Sequence, residues 1–293
     1  MELGIFAKTF PRATLEETLD AVVAHGLKHV QFNLSCVGLP TLPDRLEQEQ
    51  CADIARAFRE RGLTMAAISG TFNILMAIEF PDFMEGPIPP MEGVPESWRT
   101  FGHLEVLTSH CRWLDTRIVT LSTGTRDDLN MWKWHPTNVT RKSWNAAVKA
   151  MHRIAEVADR YQVTMAFEPE LSNVVNSVCK ARRLLDEIHS PWLKVVLDPA
   201  NLIRPDDIPR MSEVIDEAFD WLGDDIALMH IKELGKEGHP GDLAPGQGIL
   251  DYGLILNELD RIGYKGSLIM HGLSEEQVEP GVKFMRKMMG LSR

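Results

Sequence analysis

The chain has 293 residues, 44% hydrophobic and 25% charged, and carries a formal net charge of -11. That composition is ordinary for a globular protein, and the acidic excess repels phosphate backbones, so no nucleic-acid partner is expected. No run approaches the ~20 consecutive apolar residues of a membrane span, which excludes a transmembrane helix as a sequence expectation.

The first strand signal lies at residues 3–7, where the chain lacks the charged lead and long apolar core of a signal peptide. Thr14 and Glu17 stand at capping-box spacing ahead of Leu15, Leu19, Val22 and Val23, which predicts a helix. Strand signals follow at 29–33 and 64–69. A loop of about 70–97 then holds Pro81, Pro87, Pro89, Pro90 and Pro95. A strand at 116–121 precedes a second long loop, about 122–140, with Met131, Trp132, Trp134 and His135. Both loops follow strands. They suit lids or substrate walls, and equally contacts between copies of the chain, so a homo-oligomer stays open.

Trp144, Ala147, Val148, Met151, Ile154, Ala155 and Ala158 recur at helical spacing. Four short apolar runs then each stop at a metal-ligand residue type. Thr164-Met165-Ala166-Phe167 ends in Glu168, Lys194-Val195-Val196-Leu197 in Asp198, Ile226-Ala227-Leu228-Met229 in His230, and Ser267-Leu268-Ile269-Met270 in His271. Continuous apolar runs between helical stretches are the mark of strands buried on both faces of a parallel sheet. Asp251 caps a helix through Leu254, Ile255, Leu256 and Leu259, and Ser274 with Gln277 repeats the capping-box pattern for a last one.

About eight strands alternating with helices predict an α/β fold of the (β/α)8 TIM-barrel type, one domain over residues 1–293. The competing open sheet usually carries a Gly-rich turn after its first strand, and Lys8-Thr9-Phe10-Pro11 is not one. Four cysteines without CxxC spacing (Cys36, Cys51, Cys111, Cys179) point to reduced thiols and a cytoplasmic protein.

In a barrel all eight strand ends converge on one mouth. A lone histidine there is most simply a buried polar residue with local hydrogen bonds. Two carboxylates and two imidazoles together, Glu168, Asp198, His230 and His271, are a ligand set for one divalent ion. Mixed nitrogen and oxygen donors suit zinc, manganese, iron, cobalt or nickel better than calcium. Ligands from half the mouth leave coordination positions open, as a catalytic metal requires. Glu170, two residues beyond Glu168, points to the same side if the strand continues; a rim ion pair would explain it as well. Lys232 stands in the same relation to His230, either to polarise a carbonyl or to pair with Glu233 or Glu170. Asn201 is a candidate hydroxyl-binding group or turn cap. Trp132 and His135 are candidate substrate-wall residues, or plain lid contacts.

The chain resembles the xylose-isomerase-like barrels, the sugar isomerase/epimerase superfamily that also holds inosose dehydratases and endonuclease IV. The resemblance rests on Phe167-Glu168-Pro169, Leu197-Asp198-Pro199-Ala200-Asn201 and His230-Ile231-Lys232-Glu233. Pro245-Gly246-Gln247-Gly248 with Asp251-Tyr252, and Gly263-Tyr264-Lys265-Gly266, extend it. It implies Glu168, Asp198 and His230 as metal ligands. At strand eight this chain departs from the family's usual Glu, placing His271 there. The exchange puts a two-carboxylate epimerisation in doubt and makes the metal a stronger Lewis acid.

The resemblance implies a small polyhydroxylated substrate and one divalent ion, manganese, zinc, cobalt, iron or magnesium. The reaction implied is isomerisation or epimerisation of a sugar or hydroxy-carbonyl compound through an enediolate. Glu168 is its base, Lys232 its stabiliser and Glu170 a second acid or base. Two alternatives stay open: a lyase or dehydratase acting on a keto-sugar or keto-inositol, and a non-catalytic sugar- or metal-binding barrel. Endonuclease-type chemistry would need ligands on the early strands, which offer Lys8, Asn33 and Ser69 instead.

Overall fold

A computed structural model describes residues 1–79 and 100–291. Eight strands form one closed parallel barrel in sequence order. They are β1 (Glu2–Phe6), β2 (His29–Phe32), β3 (Thr64–Ser69), β4 (Ile118–Ser122), β5 (Thr164–Glu168), β6 (Leu193–Leu197), β7 (Ile226–Ile231) and β8 (Ser267–Met270). Closure comes from β1 against β8, with Leu3 beside Leu268 and Ile5 beside Met270. The helices between them are α1 (Leu15–Ala24), α2 (Gln48–Glu60), α3 (Ile74–Glu79), α4 (Phe101–Leu114), α5 (Arg141–Tyr161), α6 (Val178–Ile188), α7 (Met211–Leu222), α8 (Tyr252–Arg261) and α9 (Glu275–Met288). The expected (β/α)8 architecture is what the chain adopts. The prolines 81, 87, 89, 90 and 95 of the first long loop lie outside the described residues.

Local chemistry starts these helices where the sequence predicts. The Thr14 side chain accepts from the Glu17 N–H while the Glu17 carboxylate accepts from the Thr14 N–H, closing the capping box of α1. Asp251 accepts the Leu254 N–H at 2.9 Å ahead of α8, and Ser274 with Gln277 boxes α9. Each cap satisfies N–H groups that a first turn leaves unpaired. The long α5 buries Trp144, Ala147, Ala150, Met151, Ile154 and Ala158 on one face, a stripe that seats it on the barrel.

Apolar packing divides into two bodies. The larger lies between strands and helices; the smaller, built on Ala67, Ala166, Val196, Leu228 and Ile269 with Phe6 against it, fills the barrel interior. Side chains on a strand alternate between the two faces. Residues two positions after an interior one therefore also point inward, one layer nearer the mouth. Counting forward from Ala67, Ala166, Val196, Leu228 and Ile269 reaches Ser69, Glu168, Asp198, His230 and His271, while Lys8 borders the same mouth from the short turn Ala7–Thr9 that follows β1. The apolar plug thus sits directly beneath a polar layer.

Candidate active site

The polar layer gathers three ligand-type groups. One donor atom each from Glu168, Asp198 and His230 lies within 4.8 Å of the others. Strand pairing explains the meeting: Leu197 sits beside Met229, so the next residues along the two strands, Asp198 and His230, are neighbours. Asp198 is fully buried and His230 is 3% exposed.

The donor atoms are kept free. His230 Nε2 lies 2.7 Å from Gln31 Oε1, and Gln31 Nε2 lies 3.2 Å from the Thr120 hydroxyl. An amide oxygen can only accept, so Nε2 carries the proton and Nδ1 is the free nitrogen of the neutral ring. Nδ1 faces Glu168 Oε2 at 3.3 Å and makes no hydrogen bond, and Asp198 Oδ2 is likewise buried without a partner. Asp198 Oδ1 accepts the Ala200 N–H at 3.1 Å. Lone pairs of an imidazole and two carboxylates facing one another in a dry site repel unless a cation lies between them. A proton can do this: although burial opposes it, Glu168 raises the pKa of His230. A divalent ion fits the same donors better, because it also takes the orphaned Asp198 oxygen.

The electrostatics are those of a crowded polar pit. Burial alone would raise the Glu168 carboxyl, but a proton on His230, when it is there, and the Lys232 ammonium hold it below the ordinary carboxylate range. Burial pushes Asp198 up to about 7, with Lys232 opposing and Glu168 adding to the rise. Burial and the charge of Glu168 also push Glu170 up to about 7. Burial, His230 and Lys232 press His271 down to about 3, so its ring is neutral at physiological pH.

Around this trio lies a cavity of about 580 Å³ at the mouth, bordered by Glu168, Glu170, Asn201, His230, Lys232 and His271. Asn201 links two of them. Its amide donates to Glu168 Oε1 at 2.5 Å and accepts from Lys232 Nζ at 3.1 Å. A cation therefore stands one side chain away from the carboxylate. Glu170 accepts from Asn173 Nδ2 at 3.1 Å. The His271 ring centroid is 5.0 Å from that of His230, yet the ring stays outside the tight three-atom cluster. Trp132 reaches the cavity wall and is 56% exposed.

His135 is not among the cavity-lining residues. Its Nδ1 instead accepts the Thr137 N–H at 3.2 Å and starts the short turn Pro136–Val139. Glu233 does not pair with Lys232. It is fully buried, and its carboxylate accepts from the backbone N–H groups of Leu234, Gly246 and Leu250 at 2.9, 2.6 and 3.1 Å. Gly248 packs so closely there that a Cβ would lie 2.2 Å from the Leu234 oxygen. The Gly246-Gln247-Gly248 segment is accordingly a tight turn bound to Glu233. Gln31 was not foreseen, although a glutamine inside a buried apolar strand is itself a signal of a polar partner within the barrel.

Comparison with known proteins agrees with the barrel fold. Residues 19–288 match the family described as the xylose isomerase-like TIM barrel. Over 149 residues the chain is 27% identical to the L-ribulose-5-phosphate 3-epimerase UlaE of Shigella boydii, covering 51% of this chain and 49% of that protein. UlaE of Escherichia coli aligns similarly, 27% over 146 residues, 50% of this chain and 48% of that one. The chain thus spans about half the length of these relatives. Among solved structures, an L-ribulose 3-epimerase superposes with a TM-score of 0.67 at 21% identity, covering 100% of this chain and 87% of that one. The 3-keto-D-glucoside 4-epimerase YcjR of E. coli reaches 0.70 at 15%, with 99% of both chains covered. The zinc-bound IolI protein reaches 0.67 at 18%, covering 99% and 96%. At such identities the superpositions show the fold.

Proposed function

The chain belongs to the xylose isomerase-like TIM barrel family, and from that premise we propose that it is a metal-dependent isomerase or epimerase of a small sugar or sugar-derived hydroxy-carbonyl compound. The observation that carries the reading is the trio Glu168, Asp198 and His230, whose donor atoms converge with His230 Nδ1 and Asp198 Oδ2 buried and unpartnered. These three would hold one divalent ion, manganese, zinc, cobalt, iron or magnesium, with the neutral His271 ring as a fourth donor after a small side-chain movement. When bound, such an ion draws charge from a substrate carbonyl and makes the adjacent C–H more acidic.

The chain's own residues supply the rest. Glu168, ionised at neutral pH, takes the proton at Oε1 or Oε2 and leaves an enediolate. Lys232 stands ready to stabilise the developing oxyanion, and Asn201 holds Glu168 and Lys232 in fixed relation. Glu170, whose carboxyl is pushed up to about 7 and so is protonated in part near neutrality, is the group that can return a proton. The sugar epimerases named above support a ketose or its phosphate as substrate. A second reading is favoured by one feature: the two carboxyl groups given proton-transfer roles, Glu168 at the end of β5 and Glu170 two residues beyond it, come from one strand end, while β8 is followed by His271. Acid and base on one side suit isomerisation, or loss of a β-hydroxyl in a dehydratase, better than exchange between two faces.

Solvent exchange tests the proposal. Protein loaded with manganese or zinc is incubated in deuterated water with aldoses, ketoses and their phosphates, and the α-carbons are followed by NMR. Deuterium entering an α-position is expected; a panel with none at any carbon refutes enolate chemistry.

A further inference from the structure

Lys232 carries its charge on a flexible four-carbon stem, and such a head stays in one place only if the stem is confined. Two glycines confine it. After β7 the chain folds back, with Leu234 and Pro240 paired as an antiparallel bridge, and returns as Gly241. The Gly241 N–H donates to the Glu233 carbonyl at 2.8 Å, and the Asp242 N–H donates to the Gly272 carbonyl at 2.7 Å. The returning segment is thus tied to the chain that follows β8, and Gln277 Nε2, donating to the Asp242 carbonyl at 2.8 Å, ties it to α9 as well. The Lys232 stem lies against both glycines. A Cβ on Gly272 would stand 3.0 Å from Lys232 Cε and 3.2 Å from its Cγ, and one on Gly241 would stand 3.3 Å from the same Cε. Beyond this slot Nζ donates to Asn201 Oδ1 at 3.1 Å. Asn201 takes one of three ammonium N–H groups, which leaves two for the mouth cavity that Lys232 borders.

Positive φ by itself can call for glycine, and Gly241 and Gly272 have φ of +94° and +71°. Gly62, in the turn between α2 and β3, has φ +64° with open space where its Cβ would stand. Contact with a lysine stem is therefore a separate property of the first two. Resting on the enediolate reading above, we propose that Gly241 and Gly272 are positioning residues for Lys232. Their slot holds the ammonium beside Asn201, in place before an oxyanion forms. A side chain at either glycine would push the stem aside, and a displacement of about 1 Å at a reacting group can lower a rate about 100-fold.

The test starts on the unaltered chain: in carbon relaxation NMR the Cε methylene of Lys232 should be rigid beside that of exposed Lys236, and equal mobility refutes the slot. Gly241→Ala, Gly272→Ala, Gly62→Ala and Lys232→Met are then compared after circular dichroism has confirmed folding. Gly62→Ala carries similar backbone strain without a neighbour, and Lys232→Met assigns the ammonium resonance in nitrogen NMR. That resonance is expected to stay in place in Gly62→Ala and to shift in the two slot variants. Deuterium entry into a responsive sugar should fall about 10- to 100-fold in the slot variants, with manganese affinity unchanged. In the Lys232→Met background the same glycine substitutions should alter the rate by less than about 2-fold, because the group they position is gone. A resonance unmoved in both slot variants, a loss no greater than that of Gly62→Ala, or a glycine effect that persists in Lys232→Met overturns the proposal. If no sugar takes up deuterium the enolate reading fails, and the stem's rigidity and the ammonium resonance still decide the slot.

Discussion

Glu233 gives the sharpest test of how the site is supported. Its two carboxylate oxygens accept three backbone N–H groups that belong to the turn between β7 and α8. In Glu233→Ala all three donors lose their partner in a place water does not reach. Hydrogen bonds to a charged group contribute about 1.5–3 kcal/mol each, but the substitution also removes a buried charge and its desolvation cost, which offsets part of the sum. Breaking a buried charged network from one side typically costs about 3–5 kcal/mol, and that is the loss expected in urea unfolding. Glu233→Gln should cost less, about 1–3 kcal/mol. Its amide oxygen can still accept from Leu234 and Leu250, while its NH2 meets the Gly246 N–H donor to donor. The turn between β7 and α8 should become sensitive to protease in both variants. A Glu233→Ala protein within 1 kcal/mol of the parent, or a Gln variant weaker than the Ala variant, would refute the reasoning.

Gln31→Leu removes the acceptor that fixes the His230 tautomer, so manganese or zinc affinity measured by chelator competition should fall about 10- to 100-fold; unchanged affinity would mean the ring is oriented by something else. Asp225 bonds Lys194 at 2.5 Å and Arg182 at 2.7 Å. Burial alone would raise its carboxyl, but those two cations hold it below the usual carboxylate range. A depressed folded pKa contributes stability above the unfolded value, and that stability is lost as pH falls through the folded one. The parent should therefore lose stability against Asp225→Asn as pH drops below about 4, by less than ~1 kcal/mol because the pair is partly solvated. Parallel acid-unfolding curves for the two proteins would count against it.

Much of this molecule was readable in advance, for identifiable reasons. A parallel strand buried on both faces is largely apolar, so an ionisable residue closing an apolar run stands out, and 165–168 and 195–198 behave in this way. Helix starts were legible because capping depends on two side chains three residues apart, as at Thr14 and Glu17. What escaped was pairing across the barrel. Gln31 and His230 are 199 residues apart in sequence, and no local pattern reports that their side chains meet. A register shift between Val30 and Gln31 adds to the difficulty, since it is set by the neighbouring strand. Adjacency of Lys232 and Glu233 does not report whether they pair: Lys232 reaches Asn201, and Glu233 turns to the backbone of the following turn. His135 reads equally as a substrate-wall residue or a lid contact, and the proline at the next position accounts for the turn it caps.

The hydrophobic plug of Ala67, Ala166, Val196, Leu228 and Ile269 under the polar layer makes the pit blind-ended. Reactant and product must pass through one doorway, in opposite directions and never together. Product that has not yet left occupies the same seat as fresh reactant. Under the proposed interconversion of isomers, either partner would therefore compete with the other for the pit, and the direction of flow would be set by whatever consumes one of the pair.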